Sequence, residues 1–526
     1  MTQSNILVLL WSSIMGINKY ELTPTLLLIT ISLVMLCVLC YKLTPSTSSP
    51  PLPPGPLSLP VVGYLPFLGP DMHKQFTTMA RTYGPIFKVQ LGSKLHIVIN
   101  SPELAKVVAR DQDHTFANRN LTVAASIISY GGQDIVWSNN NSHWRKLRKI
   151  FVHEALSNKN LDACSSFRSD EVRKTIKNVF GKIGTEVDIK HVSFLTESNV
   201  LTSMILGAGS RDVGEELQMV SMNINEIFGR PNMSDFFPHL AWFDMQGVER
   251  DMKKQLKMMD RIIESMIEDR IKSNSEKLQD GVGDREGKKD FLQILLDLKS
   301  QEDGTSLDIT HIKALLMDTM LAGTETTTTL MEWVMAEIMQ NPDVMKKVQE
   351  ELAKVVGLNN MVEESHLPKL QYLDATIKET LRLHPVVPFL IPRSPSKDCT
   401  VGAYTVPKDS TIFLNVWSIH RDPRYWDNPL EFNPMRFLSC QETRNWYNGN
   451  NLNFFPFGSG RRLCPGLPLA EKMVMFISAS LLHSFDWSLP KGEEHDLSEK
   501  FGVTLMKLKP LIAIPSQRLS YTSLYI

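Results

Sequence analysis

Cysteine is scarce here: six residues in 526, at positions 37, 40, 164, 399, 440 and 464. Their scattered spacing forms no disulfide framework, which argues against a stapled secreted domain and for a reducing compartment. A surplus of either charge is also missing, since 56 basic and 57 acidic residues leave a formal net charge of -1. Nucleic-acid binders normally carry a basic excess, so no nucleic-acid partner is expected. No internal repeat is visible. What is abundant is apolar: 43% of the chain is hydrophobic, ample for one large core.

The N-terminus lacks a convincing small-residue cleavage site, so its apolar run reads as a retained signal anchor. Leu22 to Tyr41 is an uncharged stretch of 20 residues, and at about 1.5 Å each it spans roughly 30 Å, a bilayer core. We assign 22–42 as a transmembrane anchor and 1–21 as an extension. Ile6–Ile17 is too short to span, and is either lumenal or interfacial. Cys37 and Cys40 form a C-x-x-C inside the anchor. Tyr41 follows them where a c-type heme attachment needs histidine, so they read as small apolar residues. Residues 43–60 are proline- and serine-rich, a semi-rigid spacer before a body from 61 to 526.

Within the body, GPIFKVQLGSKLHIVIN reads as two strands around a Gly-Ser turn. SPELAKVVARD starts a helix with Ser101 as cap and Pro102 in the first turn. Helical patterns cover 248–272 and 310–340, and polar residues 275–290 read as a surface loop. Short strands return over 404–417. The fold class is mainly α with small β-sheets.

Near the C-terminus PFGSGRRLCPG places Phe457, Gly460, Arg462, Cys464 and Gly466 at the spacing F-x-x-G-x-R-x-C-x-G. The glycines let the backbone approach a large flat ligand. The helical pattern that follows sets Cys464 just before a helix N-terminus, where backbone N–H groups stabilise a thiolate. A neighbouring guanidinium suits a ligand carboxylate. Together these features point to a cysteine-ligated heme.

This segment resembles the heme-binding signature of the cytochrome P450 monooxygenases, and further marks of that family follow in order along the chain. The resemblance implies a cytochrome P450 fold in one heme-thiolate domain, with heme b as cofactor and Cys464 as the metal ligand. In KETLRLHP, Glu379 and Arg382 share a helix face. The resemblance adds Arg436 of FNPMRF to make a structural network, with Met435 where the family usually has an acid. In AGTETT, it assigns Glu325 and Thr326 to a proton relay and lets Ala322 and Gly323 bring their helix close to the cofactor. Thr326 on its own would read as a hydroxyl bonding back to its helix. Trp144 and Arg148 of HWRKLRK, with Arg393, resemble the family's heme-propionate contacts. Arg145, Lys146 and Lys149 form a basic patch suited to an acidic electron donor.

The family's substrate contacts fall on Ala322, Val386, Val387, Phe389, Leu390, Phe501 and Val503, all apolar, so the guest is expected to be a small hydrophobic molecule. Segments such as DLSEKFGVTLMKLKPLIAIP resemble the plant family numbered seven hundred and six, whose members include cadinene and valencene hydroxylases. The implied activity is NADPH-dependent hydroxylation of a sesquiterpene with O2. Electrons would come through a separate NADPH-cytochrome P450 reductase, since no flavin-binding segment follows the heme motif. Membrane lipid is a further partner, and the body would be cytosolic at the endoplasmic reticulum. Three alternatives stay open: hydroxylation of a flavonoid or phenylpropanoid, heme-thiolate dehydration of an aldoxime, and a non-catalytic heme carrier.

Overall fold

The computed structural model describes residues 28–36, 50–207, 213–279, 290–299, 307–438 and 446–526. The elements that build the site are, in chain order, α1 (Met72–Tyr83), β1 (Ile86–Leu91), β2 (Lys94–Ile99), α2 (Val123–Ile128), α3 (Ser142–Ile150), α4 (Ser165–Phe180), α5 (Ile189–Leu206), α6 (Val248–Gln279), α7 (Ile309–Gln340), α8 (Gln371–Leu383), β3 (Thr411–Leu414), α9 (Leu467–Ser484), β4 (Glu499–Lys500) and β5 (Met506–Lys507). Residues 28–36 are helical and exposed; the remainder of the expected anchor, with Cys37 and Cys40, lies outside the described residues, as does Cys440. Among the described residues no helix is long and apolar enough to cross a membrane.

Helix α7 is the axis of the body. Its 32 residues extend about 48 Å. Asp308 caps it, accepting from His311 N at 2.9 Å while His311 Nδ1 accepts from Asp308 N at 3.3 Å. Such a reciprocal cap satisfies donors that a helix start leaves orphaned. Ile312, Leu315, Leu316, Met320, Val334 and Ile338 are fully buried along it, packed by α5, α8 and α9. At one side β1 and β2 pair antiparallel through Gly92, and β2 pairs parallel with β3 (Ile97 beside Ile412). Ser101 caps the next helix as expected, accepting from Leu104 N.

Two expectations need correction. Helix α6 continues to Gln279, so the polar segment from Ser275 is not all loop; Ser275 Oγ is satisfied by Ile271 O at 3.0 Å within the helix. Residues 280–289 lie outside the described residues. The expected semi-rigid spacer over 43–60 is docked on the body from Pro51 onward. Thr405 N donates to Pro51 O at 2.9 Å and Lys88 N to Pro54 O at 2.8 Å. Gly55 lies so close that a Cβ there would meet Lys88 O at 2.1 Å.

Glu379 and Arg382 of α8 are both fully buried. They pair in bidentate fashion at 2.7 and 2.8 Å. Arg436 Nε approaches Glu379 Oε1 at 3.3 Å, while Met435 is 49% exposed, so the residue that replaces the usual acid sits outside the network. Removing one partner of a buried pair leaves an uncompensated charge, at a cost of about 3–5 kcal/mol. Glu379→Gln is therefore expected to lower the Tm by several degrees and reduce recovery of folded protein. An unchanged melting curve would make the pair dispensable.

Candidate active site

Cys464 enters the interior on the loop that precedes α9. Its N–H donates to Phe457 O at 2.9 Å, closing the loop. Gly460 has φ of +65°, a conformation glycine adopts without penalty. A Cβ there would fall 2.0 Å from Ala109 O. Gly466 has ordinary backbone angles, and a Cβ there would make only an ordinary contact with Cys464 Sγ at 3.7 Å, so neither strain nor crowding within the chain itself demands glycine at this position. Phe457 packs edge-on against Tyr447 at 5.3 Å. The helix end does less than expected for the thiolate. Burial pushes the Cys464 thiol up, and hydrogen bonding from Gly466, the charge of Arg148 and the Leu467 N–H offset only part of it. A coordinating metal ion deprotonates a thiol outright, so a metal bound at Cys464 would supply the ionisation that the loop does not.

Four guanidiniums converge beside this loop. Arg462 donates to Ala117 O at 2.8 Å and Ile135 O at 3.1 Å, and lies 4.2 Å over the Trp144 ring. Trp144, buried in α3, donates its indole N–H to Ile135 O at 3.0 Å. Arg148 reaches Leu463 O at 2.5 Å, and Arg393 donates to Ser459 O at 2.7 Å. The fourth, Arg119, escaped the sequence reading. It donates to Val136 O at 3.1 Å, Ile391 O at 2.5 Å and Pro392 O at 2.8 Å.

Burial lowers the pKa of all four, to about 10 for Arg393 and about 9 for Arg462. Mutual repulsion adds to this at Arg119 and Arg462. The carboxylates acting on the cluster are few: Asp134 on Arg119 and Arg462, Asp113 on Arg393. So many buried cations with so little anion beside them fit a ligand that brings carboxylates of its own. Heme b, with two propionates and an iron for Cys464, is such a ligand. The residues present fit it.

Across the site, Ala322 is exposed and Thr326 half-buried, while Thr324, Glu325 and residues 327–330 of α7 are buried. Thr326 Oγ1 donates to Ala322 O at 2.6 Å, the local bond that a lone helical threonine makes. Glu325 turns elsewhere, because neighbouring helix residues point about 100° apart. It pairs with Lys190 Nζ at 2.9 Å. Gly323 also serves another purpose than expected: a Cβ would stand 2.8 Å from Leu201 Cδ1, so its smallness brings α5 against α7.

Of the expected pocket residues, Val386 and Phe389 are buried and Val387, Leu390, Phe501 and Val503 half-buried. Leu505 N donates to Val386 O at 2.7 Å, and Phe501 meets Phe389 edge-on at 5.7 Å. Phe389 packs mainly beneath the sheet, 5.6 Å from Phe76 and 5.0 Å from Phe413, so it props the wall. A groove of about 400 Å³ opens between α2 and residues 231–247, lined by Leu121, Val123, Ile127, Pro238 and Ala241 with Lys94 and Asp235.

Sequence reasoning also missed a carboxyl pair. Asp318, one turn before Ala322, accepts from Ile135 N at 2.8 Å and hydrogen-bonds Asp134. Asp134 accepts from Trp137 N and Ser138 N. Burial raises both, Asp134 to about 6, and their proximity makes two charges costly. The pair locks residues 134–138 to α7.

Two expectations follow. Arg119→Met should speed heme loss to an acceptor apoprotein by tenfold or more, since a charge-assisted hydrogen bond contributes about 1.5–3 kcal/mol; an unchanged rate would remove Arg119 from the site. For the carboxyl pair, a raised folded pKa means stability present in acid is lost as pH rises through about 6. Asp318→Asn keeps the hydrogen bonds and removes the second charge. Its Tm should gain on the parent as pH rises from 5 to 7.5; a pH-independent difference would refute the shared proton.

Comparison with known proteins agrees with this geometry. The family model "Cytochrome P450" matches residues 53–514. Cytochrome P450 76C1 of Arabidopsis thaliana is 37% identical over 94% of this chain and 98% of its own length. Geraniol 8-hydroxylase of Catharanthus roseus is 38% identical over 88% and 94% of the two chains. Flavonoid 3',5'-hydroxylase of Solanum melongena is 36% identical over 89% and 91%. Among solved structures, a zebra fish cytochrome P450 with progesterone aligns with a TM-score of 0.72 at 25% identity, covering 85% of this chain and all of that one. With its fold, its cysteine loop and these relatives in agreement, the chain belongs to the cytochrome P450 family, as an NADPH-dependent heme-thiolate monooxygenase with plant relatives.

Proposed function

We propose that this monooxygenase hydroxylates a terpenoid hydrocarbon, a sesquiterpene above all. The observation that carries the reading is the apolar wall. Val386, Val387, Phe501, Val503 and Ala322 offer no side-chain donor or acceptor, and the one O–H of Thr326 is donated to Ala322 O at 2.6 Å, so these residues present no side-chain donor to a guest. A guest with polar groups would leave them unpaired there, at a cost of about 1–3 kcal/mol each. The resemblance of the C-terminal segments to the plant family numbered seven hundred and six supports the same class, and a relative that hydroxylates geraniol is a terpenoid enzyme by its name.

Heme, when bound through Cys464, supplies the activation of O2 and the transfer of one oxygen atom. The chain's own residues position and exclude. Arg119, Arg148, Arg393 and Arg462 would hold the propionates, and the apolar wall would keep water from the carbon to be attacked. Thr326 Oγ1 keeps its lone pairs free of the bond to Ala322 O, so it can hold an ordered water as acceptor.

A second reading, hydroxylation of a flavonoid, is favoured by relatives named flavonoid hydroxylases. The polar rim of the groove, Thr122, Ser126 and Asp235, would serve such a guest. We further propose that residues 22–42 anchor the chain in the endoplasmic reticulum membrane. The exposed apolar residues Trp242, Phe243 and Met245 would face lipid, and Arg145 and Lys149 the reductase.

Microsomes carrying the protein with its reductase, NADPH and labelled dioxygen, given cyclic sesquiterpenes, flavonoids and aldoximes, test the proposal. One labelled oxygen in a sesquiterpene is the expected result. Label confined to a flavonoid, or an aldoxime dehydrated without label, would overturn it.

A further inference from the structure

The short hairpin of β4 and β5 carries the loop Phe501–Leu505, which holds the C-terminal wall of the proposed pocket. Two strand pairs, Glu499 with Lys507 and Lys500 with Met506, are too few to fix such a loop. What fixes it is a set of side chains drawn from four other parts of the chain.

The first residue of the hairpin, Glu499, has its side chain only 8% exposed, and cations and donors surround it. His73 Nε2 of α1 stands at 3.5 Å, Lys74 Nζ at 3.1 Å, His384 Nδ1 at 3.4 Å and Arg421 at 3.8 Å. The Trp417 indole N–H is at 3.5 Å. Burial alone would push this carboxyl up. The close approach of His384 and His73 and the charge of Arg421 outweigh it and hold Glu499 well below the usual carboxylate range.

Both histidines then touch the loop or its support. His73 stacks on Phe501 at 5.0 Å with planes 16° apart. His384 stands between two carboxylates, its Nε2 at 2.6 Å from Glu337 Oε1 on α7. Its ring lies flat on Trp333, 3.8 Å away and 3° from parallel. The Trp333 indole donates to Leu505 O at 2.8 Å. So Glu499 reaches the start of the loop through His73 and its end through His384 and Trp333. Between those ends Phe501 and Val503 are half-buried, with Phe501 against Phe389.

We propose that Glu499 is a positioning residue for the substrate wall, setting where Phe501 and Val503 stand by clamping both ends of their loop through His73 and the His384–Trp333 pair. The assignment rests on the reading that this loop lines the pocket, but not on which hydrocarbon the pocket takes. A rigid wall lowers the cost of ordering a bound guest. Loosening the clamp should therefore weaken ligands that reach the wall and spare those that do not.

Two nitrogen ligands of heme iron make that distinction without any substrate. Imidazole is too small to extend far from the iron, whereas 4-phenylimidazole carries a ring toward the wall. In the heme-loaded full-length protein, dissociation constants for both are read from the shift of the heme absorption band. Glu499→Gln is expected to weaken 4-phenylimidazole about tenfold and leave imidazole within twofold. Trp333→Phe keeps the ring stack on His384 and removes only the N–H donated to Leu505, so it should act in the same direction, more weakly, and it carries the test should Glu499→Gln fail to take up heme. Equal weakening of both ligands in either variant would mean general damage, and no change in their ratio would mean that the loop stands without the clamp; either overturns the proposal. Failure of the sesquiterpene assay leaves this ratio untouched, so the two readings fall separately.

Discussion

Two opposite charges buried with no exposure at all hold the architecture of the site. Glu379 and Arg382 gain stability only because every strong direction is used. Arg382 spends Nε and Nη2 on the Glu379 carboxylate and sends its remaining N–H groups to His420 O, Pro429 O and Glu431 O. One guanidinium thereby fixes a long stretch of otherwise irregular chain. His420, kept neutral by burial and by the charges of Arg382 and Arg421, accepts from Phe455 N at 3.1 Å through Nε2. That bond reaches the residues just ahead of the cysteine loop. One imidazole thereby ties the segment ahead of the thiol to a helix far earlier in the chain.

The electrostatics of the interior differ sharply from those of the whole. A chain with a formal net charge of -1 gathers four guanidiniums at one buried spot and answers them with little more than Asp134 and Asp113. Bulk neutrality and local excess are compatible because the acids that balance the count lie elsewhere in the chain. The cavity is consequently selective before any shape is considered: it favours a dianionic plate and disfavours a cationic guest beside it.

Much of this was legible in the sequence because local spacing carried it. The cysteine loop is a run of backbone turns, and glycine at 460 is dictated by a positive φ and a contact with Ala109 O. Glu379 and Arg382 are three apart on one helix, so their pairing needed no tertiary knowledge. Arg119 was not legible, because its partners Val136, Ile391 and Pro392 come from two loops distant in sequence and are backbone carbonyls, which leave no trace in residue type. Glu499 and Asp318 were hidden for the same reason: each is an ordinary acid until its neighbours are known. Gly323 and Glu325 were read toward the cofactor from their place in a motif. Helical geometry sends them to Leu201 and Lys190 instead.

The docked proline tract has a mechanical meaning. Pro51 and Pro54 accept hydrogen bonds from Thr405 and Lys88, so load arriving from the N-terminal segment enters the molecule at β1 and the strand bearing Thr405. It does not reach α7 or the cysteine loop directly. A pull on the chain ahead of Pro50 would therefore act first on these two strands, which lie apart from the loop that carries Cys464.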